Sequence, residues 1–249
     1  MEVRIKKLLI ILIISIIAFP SVVYGETLKL SDTDVTLELD ENVWTILTRD
    51  NINDKEYLDQ IGLTYEYMNN VFQTNNAYLD AFTFWDDERT QTVELFVIKI
   101  KQDDPEVKKL NVYSDDEVKK IVKEIANDKE VSKYNVYKND NSVFGYFESE
   151  DSGMYLVEYV TIINNMDYLF KFQSTYPYDK NMIDVTASIM DTVKFDYTIT
   201  EEDKKNKKKI EEDGKDSFWT RVFIGGTVGA IVGGLSSVIV SLIKKKSKK

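Results

Sequence analysis

The sequence predicts an α+β fold, an antiparallel sheet with packed helices, followed by one C-terminal transmembrane helix. Three observations carry that prediction. Short apolar segments separated by turns rich in Asn, Asp and Gly recur between residues 27 and 175, as strands of a meander do. Four other segments pair a capping residue with an apolar stripe of helical period. Finally, residues 222–243 carry no charge and stop in a lysine run. A helix of that length spans roughly 33 Å, enough for a bilayer core.

The chain opens with Arg4, Lys6 and Lys7, an apolar run over residues 8–19, and a small-residue end at Val23-Tyr24-Gly25. That is the order of a signal peptide, residues 1–25, with cleavage expected before Glu26. An uncleaved anchor is the alternative, and in either case the middle of the chain is exported. Residues 26–197 form the expected extracytoplasmic domain. Residues 27–30 and 35–39 alternate around Ser31-Asp32-Thr33-Asp34 as a hairpin, and residues 43–48 make a third strand with Trp44 and Ile46 on one face.

Residues 54–60 read as a helix ending at Gly62, and Thr64 caps a second one to residue 74. Tyr65, Met68 and Phe72 share its core-facing side. Residues 78–85 and 91–101 are strands joined at Asp86-Asp87-Glu88-Arg89. Val93, Leu95 and Val97 alternate with Phe96, Ile98 and Ile100, so the second strand is expected at the centre of the sheet, covered on both sides. Ser114-Asp115-Asp116-Glu117 is a capping box, and Val118, Ile121, Val122 and Ile125 form the stripe behind it. Strands at 133–138, 142–148, 154–163 and 168–175 complete the meander. A closing helix over 179–191 turns Ile183, Ala187 and Met190 to one side.

The opening hairpin into Val43-Trp44, the central meander and the end Ile189-Met190-Asp191-Thr192-Val193-Lys194-Phe195 resemble the PsbP-like family of exported α/β/α-sandwich domains, over about residues 27–196. Asp40-Glu41-Asn42 stands where that family's Pro-x-Gly turn precedes the Trp. The resemblance implies a non-enzymatic accessory protein of a membrane assembly, and it carries no functional residue across.

Residues 198–217 alternate lysine and acidic runs and cannot bury a core, so they read as a charged stalk. The membrane helix is residues 218–243 and the basic cytoplasmic tail 244–249. Trp219 suits the headgroup layer, and Lys244, Lys245 and Lys246 hold that end inside. Gly225, Gly229, Gly233, Ser237 and Ser241 recur every fourth residue, a stripe of small side chains that lets a second helix approach closely. The expected location is therefore the cell membrane, single-pass, with the domain outside. The abundance of Lys, Asn, Asp and Ile matches a low-G+C Gram-positive bacterium.

Composition removes much chemistry. With no histidine and no cysteine, Ser-His-Asp and Cys-His nucleophiles, disulfides and His- or Cys-bound zinc are excluded. No P-loop, dinucleotide fingerprint or HExxH motif occurs. Of the 32 basic and 43 acidic residues, 23 and 42 fall between residues 26 and 217, a net charge of −19. A field of that sign disfavours nucleic acid and anionic polymers and suits cationic partners.

Two chemistries remain as alternatives. Paired carboxylates of an envelope hydrolase could come from Asp86-Asp87-Glu88 or Asp103-Asp104-Glu106. A calcium-responsive surface domain could use Glu148-Ser149-Glu150-Asp151-Ser152-Gly153, although position twelve of that loop is Tyr159 where a bidentate Glu is needed. Neither outweighs a non-catalytic binding or assembly module of the cell envelope. No catalytic, cofactor or metal residue is assigned. The expected partners are the membrane and either a second protein or a second copy of the same membrane helix.

Overall fold

The computed structural model describes residues 25–86, 90–101, 109–128, 131–197 and 199. Apart from Gly25 and Ile199, the expected signal peptide, stalk, membrane helix and tail lie outside these residues. Seven strands form the main sheet: β3 (Thr45–Thr48), β4 (Ala77–Phe84), β5 (Thr92–Lys101), β6 (Val131–Lys138), β7 (Val143–Asp151), β8 (Met154–Ile163) and β9 (Met166–Ser174). Their order is β3-β4-β5-β9-β8-β7-β6, antiparallel throughout. As expected, β5 is internal and buried on both faces.

The turns follow from their residues. Ser152 and Gly153 (φ 52° and 79°) close β7 onto β8, and Asn164 and Asn165 (φ 53° and 62°) close β8 onto β9. Two left-handed residues in succession match the twist of the flanking strands. Glu148–Gly153 is thus hairpin, the structural reading of that acidic stretch.

The opening hairpin does not join the main sheet. β1 (Glu26–Lys29) and β2 (Val35–Leu39) pair with β10 (Lys194–Phe195) in a separate sheet of order β1-β2-β10. The reason lies in β2, which buries Val35, Leu37 and Leu39 while its edge receives Lys194 and Phe195 from the far end of the domain.

Four α-helices complete the described residues: α1 (Lys55–Ile61), α2 (Tyr65–Asn75), α3 (Asp115–Asp128) and α4 (Lys180–Thr192). Side-chain oxygens of Asp54, Thr64 and Asp179 accept bonds from the backbone N–H of Tyr57, Tyr67 and Met182 and so cap α1, α2 and α4. Gly62 (φ 78°) ends α1. The helices α1 to α3 cover one sheet face, packing Leu58, Met68, Phe72, Ile121 and Ile125 against Leu47, Phe96, Ile98 and Leu169. The other face is covered by α4 and the small sheet, where Leu37, Met190 and Phe195 meet Leu95, Phe144, Phe170 and Phe172. The result is a three-layered α+β sandwich.

Two helical faces differ from expectation. Tyr65 is 45% exposed, and Val71 takes its place beside Met68 and Phe72. On α4 the buried stripe is Met182, Thr186, Ile189 and Met190, with Ile183 and Ala187 only half-buried. Thr186 can lie at its centre because its hydroxyl is satisfied: it lies 3.1 Å from Tyr159 Oη and donates to Ile183 O at 2.9 Å.

Candidate functional site

Where the small sheet meets the edge of the main sheet, a recess of about 570 Å³ opens. Glu26 of β1, Glu41 after β2, and Asp50 and Asp54 ahead of α1 contribute four carboxyl groups, and Trp44 and Tyr57 supply aromatic wall. No lysine or arginine is among the described residues that line it.

Its walls are held by local hydrogen bonds. Asn51 Oδ1 accepts from Thr48 N (2.7 Å) while its Nδ2 donates to Ile46 O (2.9 Å). The Tyr57 hydroxyl donates to the same Ile46 carbonyl at 3.2 Å. Ser31 donates its hydroxyl to Asp50, tying the β1–β2 turn to the opposite wall. Trp44 is 6% exposed, and its backbone N–H donates to Asp40 O at 2.8 Å.

Electrostatics give the recess a direction. The Glu41 carboxyl is pushed above its ordinary range, first by a hydrogen bond with the Glu26 carboxyl and then by that group's charge. Like charges that crowd together are relieved by a cation. An ammonium or guanidinium group would gain the carboxylates, beside the aromatic side chains that line the recess. The volume is that of a small-ligand or side-chain site.

A second acidic feature lies inside the sheet. Asp80 on β4 and Glu94 on β5 are fully buried. The register pairs Asp80 with Phe96 and Phe82 with Glu94, so the two carboxyls are diagonal neighbours on the face covered by α1 to α3. Their row continues on β9 with Gln173 opposite Glu94 and Lys171 opposite Phe96, and on β8 with Glu158 opposite Lys171. Gln173 Nε2 donates to Glu94 Oε2 at 2.7 Å. A glycosidase holds its two carboxyl groups about 5–10 Å apart in an open cleft. Here they lie within hydrogen-bonding reach of each other and neither is exposed.

The acidic residues singled out from sequence occupy other places. Asp86 closes the β4–β5 turn, its Oδ1 accepting from Thr90 N (2.8 Å) and Gln91 N (2.7 Å) and its Oδ2 from the Thr90 hydroxyl (2.6 Å). Those bonds, the hydroxyl first, hold its pKa below the ordinary carboxylate range. Asp87, Glu88, Asp103, Asp104 and Glu106 lie outside the described residues. Glu148 accepts from Lys133 Nζ at 2.7 Å and from the Tyr146 hydroxyl. Among the described residues no group of three or more acidic side chains converges as a metal site, and no helix is long and apolar enough to cross a membrane. Trp219, Gly225, Gly229, Gly233, Ser237, Ser241, Lys244, Lys245 and Lys246 lie outside those residues.

Sequence reasoning passed over Asp80 and Glu94, though a signal was present. Glu94 shares strand parity with Phe96 and Ile98 on a strand read as covered on both sides, which places a carboxyl in the core.

No protein-family model matches the chain, and no curated protein does. Among solved structures, the solution structure of cyanobacterial PsbP (CyanoP) from Synechocystis sp. PCC 6803 is similar over 71% of this chain and 95% of that one, with 9% identity and a TM-score of 0.35. The resemblance drawn from the sequence is to the same family. No residue role is taken from it.

Proposed function

We propose that the protein is a membrane-anchored, extracytoplasmic, non-catalytic binding or assembly module whose acidic recess receives a cationic group of a protein partner. The observation that carries this reading is the recess, four carboxyls and two aromatic rings with no lysine or arginine among the described lining residues. The net charge of −19 over residues 26–217 draws such a partner towards it. The absence of histidine and cysteine, together with the burial of Asp80 and Glu94, supports a role in binding over catalysis. Membrane attachment is supported by the uncharged run 222–243 and its lysines. The stripe from Gly225 to Ser241 is the segment through which that helix pairs with its own kind or another.

The test uses the full chain in cells, by cross-linking and mass spectrometry, with oligolysine titrated calorimetrically onto the purified protein. Glu41→Lys with Asp54→Lys should lower oligolysine affinity at least tenfold and remove the cross-linked partner. Asp116→Lys, a single charge reversal on the exposed side of α3, should change neither. Equal losses in both variants would reduce the recess to one part of a general acidic field. Gly229→Leu with Gly233→Leu should abolish self-cross-linking if the stripe is the membrane contact.

A further inference from the structure

Asp80 is in an unusual position for a carboxylate. It is fully buried, and neither Oδ1 nor Oδ2 meets a hydrogen-bond donor among the described residues. Glu94, within hydrogen-bonding reach, has Gln173 Nε2 as a donor at 2.7 Å. An ionised carboxylate in such a place would face both desolvation and the repulsion of its neighbour, so the group neutralises instead. Protonation turns one Asp80 oxygen from acceptor into donor, and a Glu94 oxygen is at hand to accept.

We propose that Asp80 holds a proton at neutral pH and donates it to Glu94, joining β4 and β5 by a carboxylic acid–carboxylate hydrogen bond that makes the folded domain favour acidic surroundings. The groups facing the pair come from every neighbouring layer. Lys171 and Gln173 lie on β9, and Glu158 beyond them on β8. Tyr67 comes from α2, its phenol pushed up by burial and then by Glu94 and Asp80. Tyr178, ahead of α4 and packed against the core on the opposite face, is pushed up by burial and then by Glu94 and Tyr159. Lys171 is the cation of this row, diagonal to Glu94 but two strands from Asp80, so it favours charge on Glu94 and leaves Asp80 as the proton carrier.

Burial first, and the Glu94 charge second, push the Asp80 pKa well above its ordinary value of 3.8. The sign follows. Below pH 3.8 folded and unfolded chains both hold the proton and the stabilisation is complete. As pH rises the unfolded chain ionises while the folded one does not. The unfolding equilibrium constant then grows by up to about tenfold per pH unit, until the folded pair itself ionises.

The experiment compares full-length wild type, Asp80→Asn and Glu94→Gln. Urea midpoints are measured from pH 5 to pH 8, and the infrared carbonyl band of a protonated carboxyl is recorded at pH 7. Wild type should show that band in the folded state, and Asp80→Asn should lack it. The amide introduced by Asp80→Asn can still donate to Glu94, so this variant should also lose the Asp80 share of the pH dependence and match or exceed wild type at pH 8. If Asp80→Asn fails to fold, Glu94→Gln decides: the Asp80 carboxyl then acts on an amide and its band shifts. A wild type without a protonated-carboxyl band at pH 7 overturns the proposal. So does a band that persists unchanged in the variants, or an Asp80→Asn midpoint that follows pH as steeply as wild type.

Discussion

Asn139 shows how much one turn residue can hold. Its Oδ1 accepts from Asn141 N (2.9 Å) and Ser142 N (2.7 Å), which shapes the β6–β7 turn. Its Nδ2 donates to Met190 O and Val193 O, both at 2.8 Å, which ties that turn to the end of α4. Met190 O keeps its bond from Val193 N, so Asn139→Ala leaves the Val193 carbonyl and two amides without that partner, a loss of about 2–4 kcal/mol. The urea midpoint should fall at unchanged slope. A change under about 0.5 kcal/mol, the range of ordinary surface substitutions, would mean that water replaces these bonds in full. Tyrosines report on the same layer. Tyr159 is pushed up to about 12, by burial above all and against the hydrogen bond with Thr186. The folded state therefore resists forming tyrosinate there.

At the scale of elements, α3 shows how a capping motif divides its load. Glu117 reaches back to Ser114 as the capping box predicts, while the Ser114 hydroxyl turns to the glutamate carboxylate, so the glutamate takes the larger part. Its Oε2 receives both the Ser114 N–H (2.5 Å) and the Ser114 hydroxyl (2.6 Å). With Asp115 and Asp116 it also faces the positive end of the helix. Glu117→Ala should cost about 1 kcal/mol and Ser114→Ala about half of that, an order opposite to the usual weight of an N-cap serine. Thermal melts of the two variants decide it, and a larger loss in Ser114→Ala would restore the usual assignment. Further along, α3 lies close on the sheet at Gly145, where a Cβ would stand 3.2 Å from Val122 Cγ2 and 3.0 Å from the Phe147 ring. Glycine on β7 is what lets the helix settle there.

At the scale of the molecule, the two ends of the domain close on each other. Phe195 packs edge-on against Tyr168 and Phe170, with ring centroids 5.0 Å and 6.2 Å away, and its N–H donates to Asn141 Oδ1 at 2.7 Å. Asp196 N donates to Asp34 O at 3.0 Å, sealing β10 against the opening hairpin. A chain of residues 26–199 should therefore melt in one transition near the temperature of the full-length protein. A chain ending at residue 192 loses the Phe195 ring and the third strand of the small sheet. Removing a buried Phe alone costs about 3–5 kcal/mol, so its melting temperature should drop well below that of 26–199. Equal melts by circular dichroism would show β10 to be dispensable.

Whatever neighbouring residues can dictate was legible in the sequence. Asp54, Thr64 and Asp179 set where helices begin. The Asn, Asp and Gly turns set where β7, β8 and β9 reverse, and alternation on β5 marks it as internal. Composition narrowed the chemistry too, because a chain without histidine or cysteine and with a strongly acidic middle has few catalytic options left. The remaining features depend on residues far apart in the chain, so they emerge only once it is folded. β1 and β2 leave the main sheet because their partner edge is β10, at the far end of the domain. Thr186 enters the core because Tyr159 is there to meet it. Glu26 and Glu41 become one recess with Asp50 and Asp54 only where two sheets meet. Asp80 and Glu94 read as two ordinary acids in two strands until strand register puts them side by side, out of reach of water.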